Sequence, residues 1–406
     1  MKFRHSAAAL AATTAAVLGA AVPSVAATPT PAAGIPDGLY GTADPTYDGV
    51  WRQSLALLAQ DTVGVVPADR AVAWLAGQQC ADGAFAPFRA DTAKACGAGL
   101  QVDTNSTAAA VQALAAVGGH DGVTGKAVTW LKSAQNTDGG WGYSPGGASD
   151  ANSTSVVIGA LTAVGEKPAD VRKGGRSPYD ALMKLALPCE GEGAGAFAYQ
   201  PDKKGGLAAN ADATAAGVVG ALGRGLVVTS GKEAAAACAD ADRPTPRQVA
   251  ANGASYLARV LAGNGYLTSV LPGAEDQPDY GNTADAVVAL AAQGGAAQAT
   301  KPLRWLERNS AAWARQSGPA AYAQLIFAAH ATGTDPRDFG GTDLVEKLNA
   351  TGPAPRAQQA AENAAEKPDR KDEGDDGYGT WWTVGVFLVA GVGIGFLISG
   401  RRKQQP

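Results

Sequence analysis

Ala127-Val128-Thr129-Trp130-Leu131-Lys132-Ser133-Ala134-Gln135-Asn136-Thr137-Asp138-Gly139-Gly140-Trp141-Gly142 is the stretch whose reading decides the fold. It begins as an amphipathic helix, breaks at an Asp-Gly-Gly turn and ends on an aromatic residue. The polar cluster Asn152-Ser153-Thr154 then opens a smoother, Ala/Val-rich helix that runs to Leu161. The same unit appears upstream as Ala71 to Trp74-Leu75, Gln78 and Asp82-Gly83-Ala84-Phe85, followed by Asp103-Thr104-Asn105-Ser106-Thr107 and a helix to Leu114. Asn105 and Asn152 each stand nine residues before the matching leucine, so the two copies agree in phase.

Later copies keep the plan with more drift. Ala181-Leu182-Met183 leads to Gly195-Ala196-Phe197 and Asn210 to Thr214; Tyr256-Leu257 leads to Asn264-Gly265-Tyr266 and Asn282 to Asp285. A fifth has Trp305-Leu306 and Trp313, no glycine loop, and a second helix over about 319–331. The ends supply two halves: a second-type helix over 48–59 with no first helix before it, and a first-type helix over 342–349 with nothing after it. A helix pair cannot bury its apolar face alone, so stacked pairs closing on themselves are the expected solution. The fold class predicted is all-α: a single (α/α)6 toroid of six helix pairs closed by N- and C-terminal half repeats, plus one C-terminal transmembrane helix.

The composition agrees. The 406 residues are 46% hydrophobic and 17% charged, which excludes a mainly disordered chain, and only 6% are aromatic. Met1-Lys2-Phe3-Arg4-His5 and the apolar run to Val22 form a signal peptide ending at about residue 27. Residues 28–35 are a short linker, 36–352 the toroid, and 353–380 a Pro- and charge-rich stalk. The span 381–400 opens on Trp381-Trp382, carries no charge and precedes Arg401-Arg402-Lys403, the pattern of a single-pass membrane helix with a cytoplasmic tail at 401–406. The expected location is the cell membrane, with the toroid outside. With the basic residues of leader and tail set aside, 28 Lys and Arg face 37 Asp and Glu, a net of about −9 that gives no reason to expect nucleic acid as a partner.

The Trp130 copy resembles the QW repeat of triterpene cyclases, through Trp130, Gln135, Asp138, Gly140 and Trp141. The array is similar to the α/α toroid superfamily of terpenoid cyclases, protein prenyltransferases, complement-like thioester domains and cobalamin carriers. Each activity that the resemblance implies has a signature. Cyclases protonate with Asp-x-Asp-Asp, which is missing. Prenyltransferases build a zinc site from Asp, Cys and His, and only His120 and His330 lie beyond the leader. Cys189-Glu190-Gly191-Glu192 lacks the glutamine of a thioester. Catalytic residues, metal and cofactor are therefore not expected.

Four cysteines in an oxidising compartment imply disulfides with three connectivities open. The positions of Cys80 and Cys96 around the first loop favour Cys80–Cys96 and Cys189–Cys238. If the loops gather at one end of the ring, so do the N-termini of the second helices. The candidate ligand-binding residues there are Asp103, Asn105, Trp141, Tyr143, Asn152, Tyr199, Asp212, Tyr266, Asn282 and Asp285. The expected function is a non-catalytic, membrane-anchored module capturing cobalamin or a similar polar small molecule for an uptake system, with a membrane transporter as partner. The alternatives are a terpene-cyclase-like or polysaccharide-active enzyme, in which two of Asp103, Asp150, Asp212 and Asp285 act as acid and base, and a surface interaction protein.

Overall fold

The computed structural model describes residues 35–232, 237–270, 275, 277–294 and 296–356. The signal peptide, the span 381–400, the tail and most of the stalk lie outside them. Among the described residues no helix is long and apolar enough to cross a membrane.

The chain forms α1 (Gly49–Thr62), α2 (Asp69–Gly77), α3 (Thr104–Val117), α4 (Asp121–Ala134), α5 (Ala151–Ala163) and α6 (Pro178–Leu185). It continues with α7 (Ala211–Ala221), α8 (Pro246–Leu261), α9 (Tyr280–Gln293), α10 (Ala296–Asn309), α11 (Ala311–Ser317), α12 (Pro319–Thr332) and α13 (Leu344–Asn349). α1, α3, α5, α7, α9 and α12 each pack on the next, and α12 packs back on α1, so the inner ring is closed. The remaining helices lie outside it. Ser153 to Leu161 of α5 are buried without a break. Such burial on all sides suits alanine and valine, whose small side chains let neighbouring axes approach. On the outer α4, by contrast, Ala127, Val128 and Leu131 are buried while Lys126 and Lys132 are exposed.

The two half repeats meet as the repeat count requires. Gln60 Nε2 of α1 donates to Asn349 Oδ1 of α13 at 2.7 Å, Gly41 N to the Thr351 carbonyl at 2.8 Å, and the buried Tyr40 hydroxyl to the Pro353 carbonyl at 3.0 Å. The compact unit runs on to Arg356, whose N–H reaches the Val66 carbonyl at 3.1 Å.

The loops are pinched by short pairings. β1 (Phe197–Ala198) pairs antiparallel with β2 (Ala209–Asn210), and β3 (Leu267–Thr268) with β4 (Pro278–Asp279). Phe85 bridges Asp103 in the same way. Both disulfides pair as expected: Cys80–Cys96 with Cα atoms 5.7 Å apart, and Cys189–Cys238 at 5.5 Å.

The QW pair is structural. Trp141 is fully buried and its Nε1 donates to the Leu131 carbonyl at 2.7 Å. Gln135 Nε2 donates to the carbonyls of Gly139 and Val171, joining one repeat to the next. In the first copy that role falls to Gln79, which donates to Gly83 and Val123, and not to Gln78, which was matched to it in the sequence. Gln78 instead holds the loop insertion by accepting from Arg89 N at 2.7 Å. Gly139 has φ +94°, and a Cβ there would stand 2.2 Å from the Ser177 carbonyl oxygen, so the turn admits no side chain.

Candidate functional site

Four of the six inner helices, α3, α5, α7 and α9, begin with the same local device. Asp103 Oδ1 accepts from Ser106 N at 2.6 Å, Asp150 Oδ1 from Ser153 N at 2.6 Å, Asn210 Oδ1 from Ala213 N at 2.8 Å and Asp279 Oδ1 from Asn282 N at 3.1 Å. These are N-caps, and they satisfy N–H groups that would otherwise lack partners. Four residues on, Thr107, Thr154, Thr214 and Thr283 each accept a loop N–H at 2.9–3.1 Å, from Phe85, Trp141, Phe197 and Leu267 respectively. The polar cluster thus divides its labour: the first residue caps, the fifth latches the loop, and the third is free to face the ring axis.

The third positions of α3, α5 and α7 are Asn105, Asn152 and Asp212, and all three line an axial cavity of about 210 Å³; that of α9 is Gly281. One turn deeper stand Asp285 of α9 and Gln324 of α12, each six residues past the residue that precedes its helix, Asp279 and Gly318. Trp51 and Leu55 of α1 and Phe327 of α12 supply apolar wall. On α7 the cavity residues Asp212, Ala215, Ala216 and Val219 follow the three-to-four spacing of one helix face. The far end is floored by the chain itself. Gly225 and Leu226, just beyond α7, line the cavity; Leu226 N donates to Gln112 Oε1 at 2.8 Å, and Gln112 Nε2 to the Val156 carbonyl at 3.0 Å.

Two carboxyls share this space. Asn152 Nδ2 donates to Asp212 Oδ2 at 2.7 Å, and Gln324 Nε2 to both Asp285 oxygens at 3.2 and 3.3 Å. Burial pushes the Asp285 carboxyl up to about 7, the negative charges of Asp212 and Asp279 add to the rise, and the Gln324 amide opposes it. Asp212 is raised too, chiefly by burial, with Asn152 opposing and Asp279 adding. Asn105 Oδ1, Asn152 Oδ1 and Ser155 Oγ are buried with no hydrogen-bond partner, although such atoms are normally paired. Asn152 gives one amide N–H to the Asp212 carboxylate and leaves its own oxygen as a buried, unpartnered acceptor.

Of the residues expected from sequence, Asn105, Asn152, Asp212 and Asp285 come together on the cavity wall. Asp103 is a buried cap beside it, its carboxyl raised to about 6 by burial against the pull of Ser106 N–H. Tyr143 and Tyr199 stand at the same end, 48% and 43% exposed, on the loops leading to α5 and α7. Trp141 is locked in the core. Asn282 turns back to donate to Asp279 Oδ2 at 2.7 Å. Tyr266 begins an aromatic stack, its ring 4.6 Å from Trp305, which faces Tyr280 at 4.9 Å. Absent from the sequence reading were Trp51, Ser155, Gln324, Phe327 and the floor. Gln324 had a signal: it is a polar residue within the otherwise apolar run from Ala320 to Ala329, at the level of Asp285.

Among the described residues no group of three or more His, Cys, Asp or Glu is placed to hold a metal ion. Residues 38–185, which carry α1 to α6, match the family model for the prenyltransferase alpha-alpha toroid domain. No curated protein matches the chain. A solved structure of a protein from Actinoplanes covers 69% of this chain and 100% of its own at 17% identity, with a TM-score of 0.32, too distant a likeness to inform function.

Proposed function

We propose that this chain, a prenyltransferase-type α/α toroid over residues 38–185 that continues on the same plan to Arg356, is a binding domain for a small molecule held in the axial cavity. One observation carries the reading: a cavity on the ring axis whose wall includes three buried acceptor atoms without partners. Such atoms cost free energy unless something meets them, and a ligand or its displaced water is what does so. At about 210 Å³ the cavity lies below the roughly 300–1,000 Å³ typical of drug-sized ligands. A small ligand fits inside it, whereas a corrinoid would sit across the mouth against Tyr143 and Tyr199. The two disulfides support a setting outside the cytosol. With the signal peptide and span read from sequence, the domain is a capture module displayed on a membrane anchor, delivering its ligand to an uptake system.

The test is thermal denaturation of the full-length protein against corrinoids, sugars, isoprenoids and small amines. A ligand present at a hundred times its Kd stabilises by about 2.7 kcal/mol. The variant Ala216→Phe fills the cavity and abolishes the shift for its true ligand. Failure of every compound to move the wild-type midpoint sinks the reading.

A second reading rests on Asp285. A carboxyl near 7 beside a second carboxyl is the asymmetry that an acid–base pair needs, as in a polysaccharide-active enzyme. Under that reading the protein cleaves oligosaccharides, and Asp285→Asn removes turnover while leaving binding intact.

A further inference from the structure

We propose that the axial cavity selects a small organic cation, an ammonium or amidinium head on an apolar body, with the head seated between Asp212 and Asp285 and the body against Trp51 and Phe327. This rests on the axial cavity being the ligand site and adds the ligand's chemistry.

The buried polar atoms left without a partner on the wall are two amide oxygens, which accept, and one hydroxyl, which does both. Asn152 Oδ1 is one of the amide oxygens, and the Nδ2–H bond to Asp212 fixes which way the amide points. Asn105 Oδ1 is buried and unpartnered, and so is Ser155 Oγ on a side chain 6% exposed. Asp212 and Asp285 add carboxylate oxygens, and a carboxylate only accepts. A ligand rich in acceptors would meet the Ser155 hydroxyl and leave the amide and carboxylate oxygens unmet; a head with several N–H donors meets them all.

Charge points the same way. Asp103, Asp150, Asp212, Asp279 and Asp285 bring five carboxyls to the N-terminal end of the ring, while Asp48 is matched by Arg52 at 3.0 Å. Six inner-helix N-termini offset them by roughly +0.5 each, which leaves the end negative when the carboxyls ionise. Arg224, the basic residue on the cavity wall, is exposed and sits at the floor, and it is not among the groups acting on Asp212 or Asp285. The wall around the heads is apolar: Leu55, Val288 and Phe327 are buried, and Trp51 presents an indole, the ring that best attracts a cation.

The experiment is calorimetric titration of the full-length protein at pH 8 with three probes of one shape: cyclohexylmethylamine, cyclohexylmethanol and cyclohexanecarboxylate. The amine is expected to bind at least tenfold tighter than the alcohol, and the carboxylate not measurably. Asp212→Asn and Asp285→Asn, which change charge without adding volume, should each bring amine and alcohol within threefold, and the exposed Asp170→Asn should leave the preference unchanged. If amine and alcohol bind alike and Ala216→Phe abolishes both, cation selection is overturned and the cavity reading stands. An amine preference that survives both Asn variants places the cation elsewhere and overturns the inference. If no probe binds, both fall. Far-ultraviolet circular dichroism confirms that each variant folds.

Discussion

Asp285 makes the stability of the domain depend on pH in a direction opposite to most carboxylates. Its ordinary value is 3.8 and in the folded chain it is about 7. Between those values the folded state holds a proton that the unfolded chain has lost, so stability falls as pH climbs from about 4 to about 7. The charges facing it are Asp212 and Asp279, both negative, with Gln324 as the neutral donor. Asp285→Asn is expected to stabilise by on the order of 1–2 kcal/mol at pH 8, less than the full shift implies because cavity water screens the carboxyl. At pH 4 it should change little. Thermal melts across that range test it, and a variant less stable at pH 8 contradicts it. Thr214 is different in kind. Its hydroxyl accepts from Phe197 N at 2.9 Å and donates to the Asn210 carbonyl at 2.6 Å. Thr214→Val keeps the shape and orphans a buried N–H, so a loss of about 1–3 kcal/mol in chemical denaturation is expected.

Close approach between elements sets the next scale. A Cβ on Gly159 of α5 would stand 2.7 Å from Gly225 Cα and 2.8 Å from Gln112 Nε2. Gly159→Ala therefore lifts the floor from its seat, with a cost of about 1–3 kcal/mol and weaker ligand binding. A melt unchanged from wild type contradicts that packing. The disulfides rank by the loops they close. Separations of 49 and 16 residues correspond to about 4 and 3 kcal/mol of lost unfolded-state entropy, so Cys189→Ser with Cys238→Ser should destabilise more than Cys80→Ser with Cys96→Ser. The inner and outer helices and the loops were legible in sequence because each is a local, repeated pattern, and the disulfide pairs because of where the cysteines stand around the loops. The site was only half legible. Asp103 and Asn105 belong to one polar cluster, and which one caps and which one faces the axis follows from helix phase and not from residue type. Gln324 stands out as polar in an apolar run, but neither it nor Phe327 could be set in register with the other repeats, because the fifth lacks the glycine loop. The floor was hidden because its contact with Gln112 spans 114 residues.

At the scale of the whole molecule, closure of the ring is the condition for burial. α13 and the residues to Pro353 cover one side of the junction between α1 and α12 through Asn349, Thr351 and Pro353. A chain ending before Asp343 leaves the buried Tyr40 hydroxyl and Gln60 without those partners and exposes apolar surface on α12. It is expected to lose cooperative unfolding, seen as a broad transition or as aggregation. A sharp transition at the wild-type midpoint would show that the half repeats are dispensable.

The floor built by Gly225 and Leu226 makes the ring a cup. A ligand entering from the N-terminal end of the ring reaches Asp285 past Asn105 and Asn152 and meets Gly225 and Leu226 beyond it. A long polymer cannot be threaded through such a vessel, so an enzyme working here would trim chain ends and never slide along a strand. A carrier working here cannot pass its cargo down the axis, so the recipient has to come to the brim, and the tyrosines standing there are the first surface it would meet.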